Sequence, residues 1–355
     1  MINTAPRPTA TLVSTSDRYD LRWERETLRG LPDLDVTLVS GLPTSEAELL
    51  ALAHDADAVL FSSREAMSAT IFAALPRLRV VCRYAVGLDH VDLDAATEHG
   101  VVVSHCPGYC TPEVADHALG MILALNRNIV AFDRHLRTGA WREHTHHMDR
   151  LLPGPIPAMR TLTVGVVGFG RIGRAVIDRL RPFGCRVVVA DPFVGEDVIR
   201  DAGAEPAALD ALLRESDIVT LHCPLSDATV GLIGDQQIRT MRRGAKIVNT
   251  ARGPLIDLTA LARALNDGHL GGAALDVVYP EPFPADSPIS TLDNVILTPH
   301  AAYYSEQSIE VVRVETLNAA LDVLRGITPK VVANPAVLDR LALAARDDVS
   351  DAIGA

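Results

Sequence analysis

Val164-Gly165-Val166-Val167-Gly168-Phe169-Gly170-Arg171-Ile172-Gly173-Arg174 decides the fold. An apolar run predicts a strand, and three glycines spaced Gly168-x-Gly170-x-x-Gly173 lead into a helical pattern. Gly168 permits the tight turn, Gly170 lets a pyrophosphate approach the backbone, and Gly173 allows close helix–strand packing. The amides of Arg171 and Ile172 then open a helix whose positive end faces the phosphates. Val187-Val188-Val189-Ala190-Asp191 supplies the expected acid at the end of the next strand. A carboxylate there accepts from both ribose hydroxyls and repels a 2′-phosphate, which favours NAD over NADP.

Further strands are predicted at Thr163–Val167, Arg186–Ala190, Ile218–His222, Lys246–Asn249, Ala273–Val277 and Val295–Leu297. The N-terminal region shows the same alternation. Thr11–Ser16, Val36–Val39, Ala58–Phe61, Arg79–Arg83 and Val101–Val103 read as strands between helical stretches, the pattern of parallel βαβ units. Thr44 or Ser45 is the expected cap of a helix carrying Glu46 and Glu48 in its first turn. Apolar Val114, Ala118, Met121, Leu125 and Ile129 predict one long helix from about Pro112 through His135. Arg142–Arg160, with three prolines, reads as a linker, and 331–355 as a tail or terminal helix.

The chain has 355 residues, 33 Lys+Arg against 45 Asp+Glu, and a net charge of -12. That length suggests about two domains. The acidic balance argues against general nucleic-acid affinity. No apolar run approaches the ~20 residues needed to span a bilayer, and Met1–Ala10 lacks the layout of a signal peptide, so a cytoplasmic protein is expected. Five cysteines need no pairing in a chain this long. Cys82, Cys185 and Cys223 read as small core hydrophobes, and Cys106 and Cys110 lack zinc-finger spacing. No metal is expected as a cofactor. His144-Thr145-His146-His147 reads as a polar loop, with a metal site or a substrate flap using His147 and Arg150 as the sharper alternatives.

Three later segments carry the chemistry. They are Asn249-Thr250-Ala251-Arg252-Gly253, Ala274-Leu275-Asp276-Val277-Val278-Tyr279-Pro280-Glu281 and Leu297-Thr298-Pro299-His300-Ala301-Ala302. Strand C-termini of a parallel sheet face one ligand crevice, so Arg252, Asp276, Glu281 and His300 are expected to converge. With Tyr84-Ala85-Val86-Gly87-Leu88-Asp89 and Thr298 to Gln307, these segments resemble the D-isomer-specific 2-hydroxyacid dehydrogenase family, and within it the C-terminal-binding-protein branch.

The resemblance runs from about Ser40 to Leu324 and implies an α/β fold of two Rossmann-like, doubly wound parallel-sheet domains. The coenzyme domain, 116–301, is expected to be inserted into a flavodoxin-like substrate domain made of 1–115 and 302–330. Arg252, Glu281 and His300 are the implied catalytic residues. Arg252 offers a fork of donors to a keto acid, and His300, paired with Glu281, exchanges the proton. Asp276 is implied to hold the nicotinamide carboxamide. Cys223, Pro224, Thr229, Thr250, Ala251 and Ala302 complete the implied NAD contacts. Tyr84, Val86, Gly87 and Tyr303 join Arg252 around the substrate.

Ala85 replaces a frequent glycine, which leaves the backbone amides in place and narrows the room for substrate; Tyr303 replaces a frequent tryptophan, so a preference for apolar keto acids does not carry over. The implied activity is reversible NADH reduction of a 2-keto acid to a D-2-hydroxy acid, in a homodimer joined through 112–141. The alternatives are an NAD(H)-sensing corepressor homologue and an enzyme of phosphoglycerate dehydrogenase type.

Overall fold

The computed structural model describes residues 7–16, 19–62, 66–139 and 156–346. The chain divides into two compact units, Met1–Tyr109 with Glu306–Ala355, and Cys110–Ser305.

The first unit is built on a five-stranded sheet of β1 (Thr9–Ser14), β2 (Asp35–Ser40), β3 (Ala58–Phe61), β4 (Val80–Arg83) and β5 (Val102–His105). All pairings are parallel and the order is β2-β1-β3-β4-β5, the flavodoxin-like arrangement. Parallel neighbours need crossovers, and helices Arg22–Arg29, Glu46–Ala53, Ala69–Ala74 and Leu93–Glu98 supply them. Their starts are capped as side-chain chemistry dictates. Ser45 accepts from Glu48 N, while the Glu48 carboxylate reaches back to Thr44 N at 2.7 Å. Ser68 and Asp92 cap the next two helices. Helix Glu306–Leu324 returns to this unit and packs on β3, β4 and β5. Arg79 donates to its last carbonyls, Val323 O at 2.7 Å and Leu324 O at 3.2 Å.

The expected tail is not loose over 331–346. Ala333 N donates to Val103 O. Asn334 is buried, accepting from Val103 N at 2.9 Å and donating to Val101 O at 2.9 Å. Ala344 bridges to Ile327. The Ala333 and Asn334 contacts satisfy the backbone of β5, the edge strand of the sheet.

The second unit carries seven parallel strands, β6 (Thr163–Val167), β7 (Arg186–Ala190), β8 (Glu205–Pro206), β9 (Ile218–Leu221), β10 (Ala245–Asn249), β11 (Leu270–Leu275) and β12 (Val295–Leu297). The order β12-β11-β10-β9-β6-β7-β8 is the dinucleotide-binding order 3-2-1-4-5-6 with a seventh strand added. Alternate residues serve the two faces. Val187 and Val189 enter a core with helices Thr111–Asn126 and Arg171–Leu180. Val188 and Ala190 enter the opposite core with helices Leu209–Glu215 and Leu258–Asn266.

The single long helix expected from Pro112 through His135 is two, Thr111–Asn126 and Ile129–Arg137. Asn128 between them stands at φ +55, a left-handed conformation that asparagine tolerates and that ends the hydrogen-bond ladder. Ala115, Ala118, Met121, Ile122 and Leu125 of the first helix are buried in the second unit's core. The division consequently falls before Cys110, ahead of the expected 115/116 boundary.

Candidate active site

The glycine loop behaves as its spacing predicts. Gly168 stands at φ +97, and a Cβ there would lie 2.7 Å from Cys223 N and His222 C. A Cβ at Gly173 would collide with the Gly168 carbonyl oxygen. Gly170, by contrast, faces nothing within 4 Å and is the N-cap of helix Arg171–Leu180, with no side chain capping the amides. That leaves open space in front of free donors at a helix start, which fits a diphosphate. At the end of β7, Asp191 accepts from Phe169 N at 2.7 Å and Phe193 N at 2.9 Å, one oxygen each. Each oxygen keeps a lone pair for a ribose hydroxyl. Two further polar atoms beside the strand ends, His222 Nδ1 and Thr250 Oγ1, are buried without a hydrogen-bond partner. These features together fit NAD.

Two of the expected cofactor contacts, Cys223 and Thr229, lie in the segment after β9. Thr229 Oγ1 donates to Pro224 O at 2.8 Å and accepts from Ser226 N at 2.7 Å, so the hydroxyl shapes its own turn. Cys223 is half-buried, and burial pushes its thiol up to about 11, so it stays protonated at neutral pH. Pro224 is exposed and Ala251 half-buried.

Arg252 follows β10. Asn249, buried, donates to Arg252 O at 2.8 Å and accepts from Ala251 N at 2.9 Å, fixing the turn that presents the guanidinium. The next residue, Gly253, lies against the Val278 backbone, where a Cβ would overlap the carbonyl. The arginine turn is thereby packed on the segment that leads to Glu281.

His300 Nδ1 lies 3.0 Å from Glu281 Oε2. A carboxylate only accepts, so Nδ1 carries hydrogen and Nε2 is the nitrogen left to exchange a proton. The His300 side chain is 43% exposed. Its ring meets Tyr303 edge-on at 6.4 Å, and Tyr303 meets Tyr304 at 6.5 Å. His300 stands at φ +54.

Asp276 is tied into the loop that carries His300. It is 2% exposed, and its Oδ1 accepts from Thr298 Oγ1 at 2.5 Å and Ala301 N at 2.8 Å. Its Oδ2 accepts from Ala302 N at 3.0 Å. Most of the carboxylate is spent on the loop around His300, leaving Oδ2 the open lone pair for a carboxamide. His117, which sequence reasoning missed, joins this group with Nε2 3.0 Å from Thr298 Oγ1. Its sequence signal was slight, a polar residue beside Asp116 in an amphipathic helix.

Tyr84, Val86 and Gly87 belong to the first unit, in the turn after β4. The Tyr84 side chain is fully buried, edge-on to Tyr19 at 5.2 Å, so the phenol packs in the core and only the backbone is left for a substrate. Val86 and Gly87 are half-buried, and Val86 O accepts from His105 Nδ1 at 2.7 Å. All five cysteines are free thiols. Among the described residues no group of three His, Cys, Asp or Glu side chains can hold a metal. The His144–His147 stretch, with Arg150, lies outside the described residues.

Comparison with known proteins agrees with this geometry. Residues 119–302 match the family model for the NAD-binding domain of D-isomer-specific 2-hydroxyacid dehydrogenases. A glyoxylate reductase from Korarchaeum cryptofilum is 41% identical over 266 residues, covering 75% of this chain and 79% of that enzyme. D-3-phosphoglycerate dehydrogenase from Mycobacterium tuberculosis is 38% identical over 291 residues, 82% of this chain but 50% of that enzyme. The crystal structure of D-lactate dehydrogenase from Aquifex aeolicus, complexed with NAD and lactic acid, superposes with a TM-score of 0.77 at 28% identity, covering 93% of this chain and 98% of that one. With the NAD-binding loop, the Glu281–His300 pair and a reductase relative matched along most of its length, the chain belongs to the D-isomer-specific 2-hydroxyacid dehydrogenase family.

Proposed function

We propose that Arg252, Glu281 and His300 reduce a small 2-keto acid to a D-2-hydroxy acid, reversibly, with NAD as coenzyme. The observation that carries this is the His300 Nδ1–Glu281 contact of 3.0 Å, which orients the imidazole and leaves Nε2 as the proton donor. Bound NADH supplies the hydride. His300 Nε2 delivers the proton to the substrate oxygen and takes it back in the reverse direction. Glu281 stabilises the imidazolium and fixes its ring. Arg252 holds the substrate carboxylate and polarises the carbonyl through its planar fork of donors. Asp191, at the end of β7, selects NAD by repelling a 2′-phosphate.

In this reading the second unit binds the coenzyme. Local donors outweigh the net charge of -12, which describes the surface as a whole. The homodimer is supported by helix Ile129–Arg137, which buries no residue and leaves Ile129 and Leu136 exposed. No helix among the described residues is long and apolar enough to cross a membrane, which suits the cytoplasmic placement we favour. The placement in the C-terminal-binding-protein branch is supported by the Tyr84–Asp89, Asn249–Gly253, Gly272–Val277 and Thr298–Gln307 segments.

The test is NADH oxidation against a panel of glyoxylate, pyruvate, hydroxypyruvate and phosphorylated and longer-chain keto acids. Glyoxylate turnover is expected, in line with the reductase relative. A preference for a phosphorylated keto acid would favour the phosphoglycerate dehydrogenase type. Tight NADH binding with no turnover would favour the sensing role.

A further inference from the structure

Helix Thr111–Asn126 directs one polar side chain into the group around the catalytic turn. His117 Nε2 lies 3.0 Å from Thr298 Oγ1 and 3.7 Å from Asp276 Oδ1. Thr298 Oγ1 lies 2.5 Å from Asp276 Oδ1. A hydroxyl has one hydrogen and a carboxylate only accepts, so that hydrogen points at Asp276. Thr298 Oγ1 must then accept from His117 Nε2–H, which fixes the tautomer of His117. The donors run in one direction, His117 to Thr298 to Asp276, and such chains polarise each bond along them.

Asp276 is where this chain meets the catalytic turn. Its carboxylate accepts from Ala301 N at 2.8 Å and Ala302 N at 3.0 Å. Its carbonyl accepts from His300 N at 2.8 Å. Three consecutive amides, His300 to Ala302, are therefore tied to one residue. His300 stands at φ +54, a conformation that costs a side-chain-bearing residue energy and persists only where the surroundings over-determine it.

We propose that His117 is a positioning residue for proton transfer. Through Thr298 and Asp276 it holds the strained His300 turn in the conformation that sets Nδ1 against Glu281. This rests on the assignment of proton transfer to His300.

The full-length enzyme tests it with glyoxylate as the keto acid. His117→Phe keeps the ring and removes the donor, whereas His117→Gln keeps an N–H near the position of Nε2. His117→Phe should lower kcat about tenfold, with KM for glyoxylate within about twofold, because it misplaces the reacting group rather than a binding group. His117→Gln should recover most of the loss. In a Thr298→Val background His117→Phe should cost nothing further, since the path is already cut. Equal impairment by Phe and Gln, or full additivity with Thr298→Val, would overturn the proposal. ¹⁵N NMR of histidine-labelled wild-type protein reads the chain without turnover and should show His117 with hydrogen on Nε2. A hydrogen on Nδ1 alone would overturn it as well. A wild-type enzyme inert toward every keto acid would instead count against the proton-transfer reading, leaving the NMR result to decide the hydrogen-bond chain.

Discussion

Leu21 in the first unit and His300 in the second both stand in the left-handed backbone region, at φ +56 and +54. Neither residue type enters that region without cost. Leu21 is 4% exposed and precedes helix Arg22–Arg29, where its carbonyl accepts from Arg25 N at 3.0 Å. Its neighbours are spent on one another. Glu24, fully buried, takes two hydrogen bonds from Arg313, at 2.8 and 2.6 Å. The guanidinium in turn lies over the rings of Tyr19 and Trp23. His300 keeps its backbone through Asp276 and its ring through Glu281, yet its side chain is 43% exposed and one nitrogen is uncommitted. Backbone strain alone thus marks no site. It marks one where the strained residue also holds out a group that can react.

The largest effect should come from removing that group. His300→Ala should lower kcat for glyoxylate by about 10²–10⁴-fold, the usual contribution of a general acid–base. The dissociation constant for NADH, read by fluorescence, should stay within about twofold. Turnover that survives the substitution would remove the chemical half of the contrast with Leu21.

The first unit should break differently. Glu24→Gln leaves the Arg313 charge without its carboxylate and should cost about 3–5 kcal/mol in chemical unfolding. Replacing both partners by methionine should recover most of that loss, because the desolvation of both charges disappears together. Activity per folded molecule should change little in either variant. If Glu24→Gln lowered kcat as far as it lowered stability, the pair would belong to the catalytic machinery and the contrast would fail.

These two regions were unequally legible in the sequence. Gly168 and Gly173 could be read because each answers a local steric demand that the structure shows, and Gly170 because open space before a helix start needs no side chain. The Glu281–His300 contact could be expected because short motifs beyond strand ends carry both residues. The Glu24–Arg313 pair could not, since its partners are 289 positions apart and nothing local distinguishes them from surface charges. The same holds for Tyr84, whose family motif suggested a ligand contact while tertiary packing buried it. Strand β8 has two residues, Glu205 and Pro206, too few for any period to show. Asn334 was read as part of a tail because its value lies in three long-range hydrogen bonds, to Val103 N, Val101 O and Thr97 Oγ1. Asn334→Ala would strip the buried Val103 N–H of β5 and the buried Val101 carbonyl just before it. It should cost about 2–3 kcal/mol, again without changing kcat per folded molecule. A loss below about 0.5 kcal/mol would return 331–346 to the status of a tail.

The smallest effect concerns a histidine that holds no reactive group out to solvent. His222 follows β9 with Nε2 2.9 Å from Thr220 Oγ1, and its Nδ1 is buried without a partner. Burial pushes its pKa down from 6.5 to about 3, because the interior disfavours the charged ring. Below pH 6.5 the unfolded chain takes up a proton that the folded chain refuses. The stability His222 contributes is therefore complete above pH 6.5 and is lost as the pH falls from there toward 3, by at most about 1.4 kcal/mol per pH unit. His222→Gln keeps hydrogen-bonding capacity and removes the titration, so unfolding curves between pH 6.5 and 4.5 should flatten relative to wild type. An unchanged slope would mean that the folded protein admits the proton at His222. The ring would then be solvated like that of His300, and burial would no longer separate the histidine that packs from the histidine that reacts.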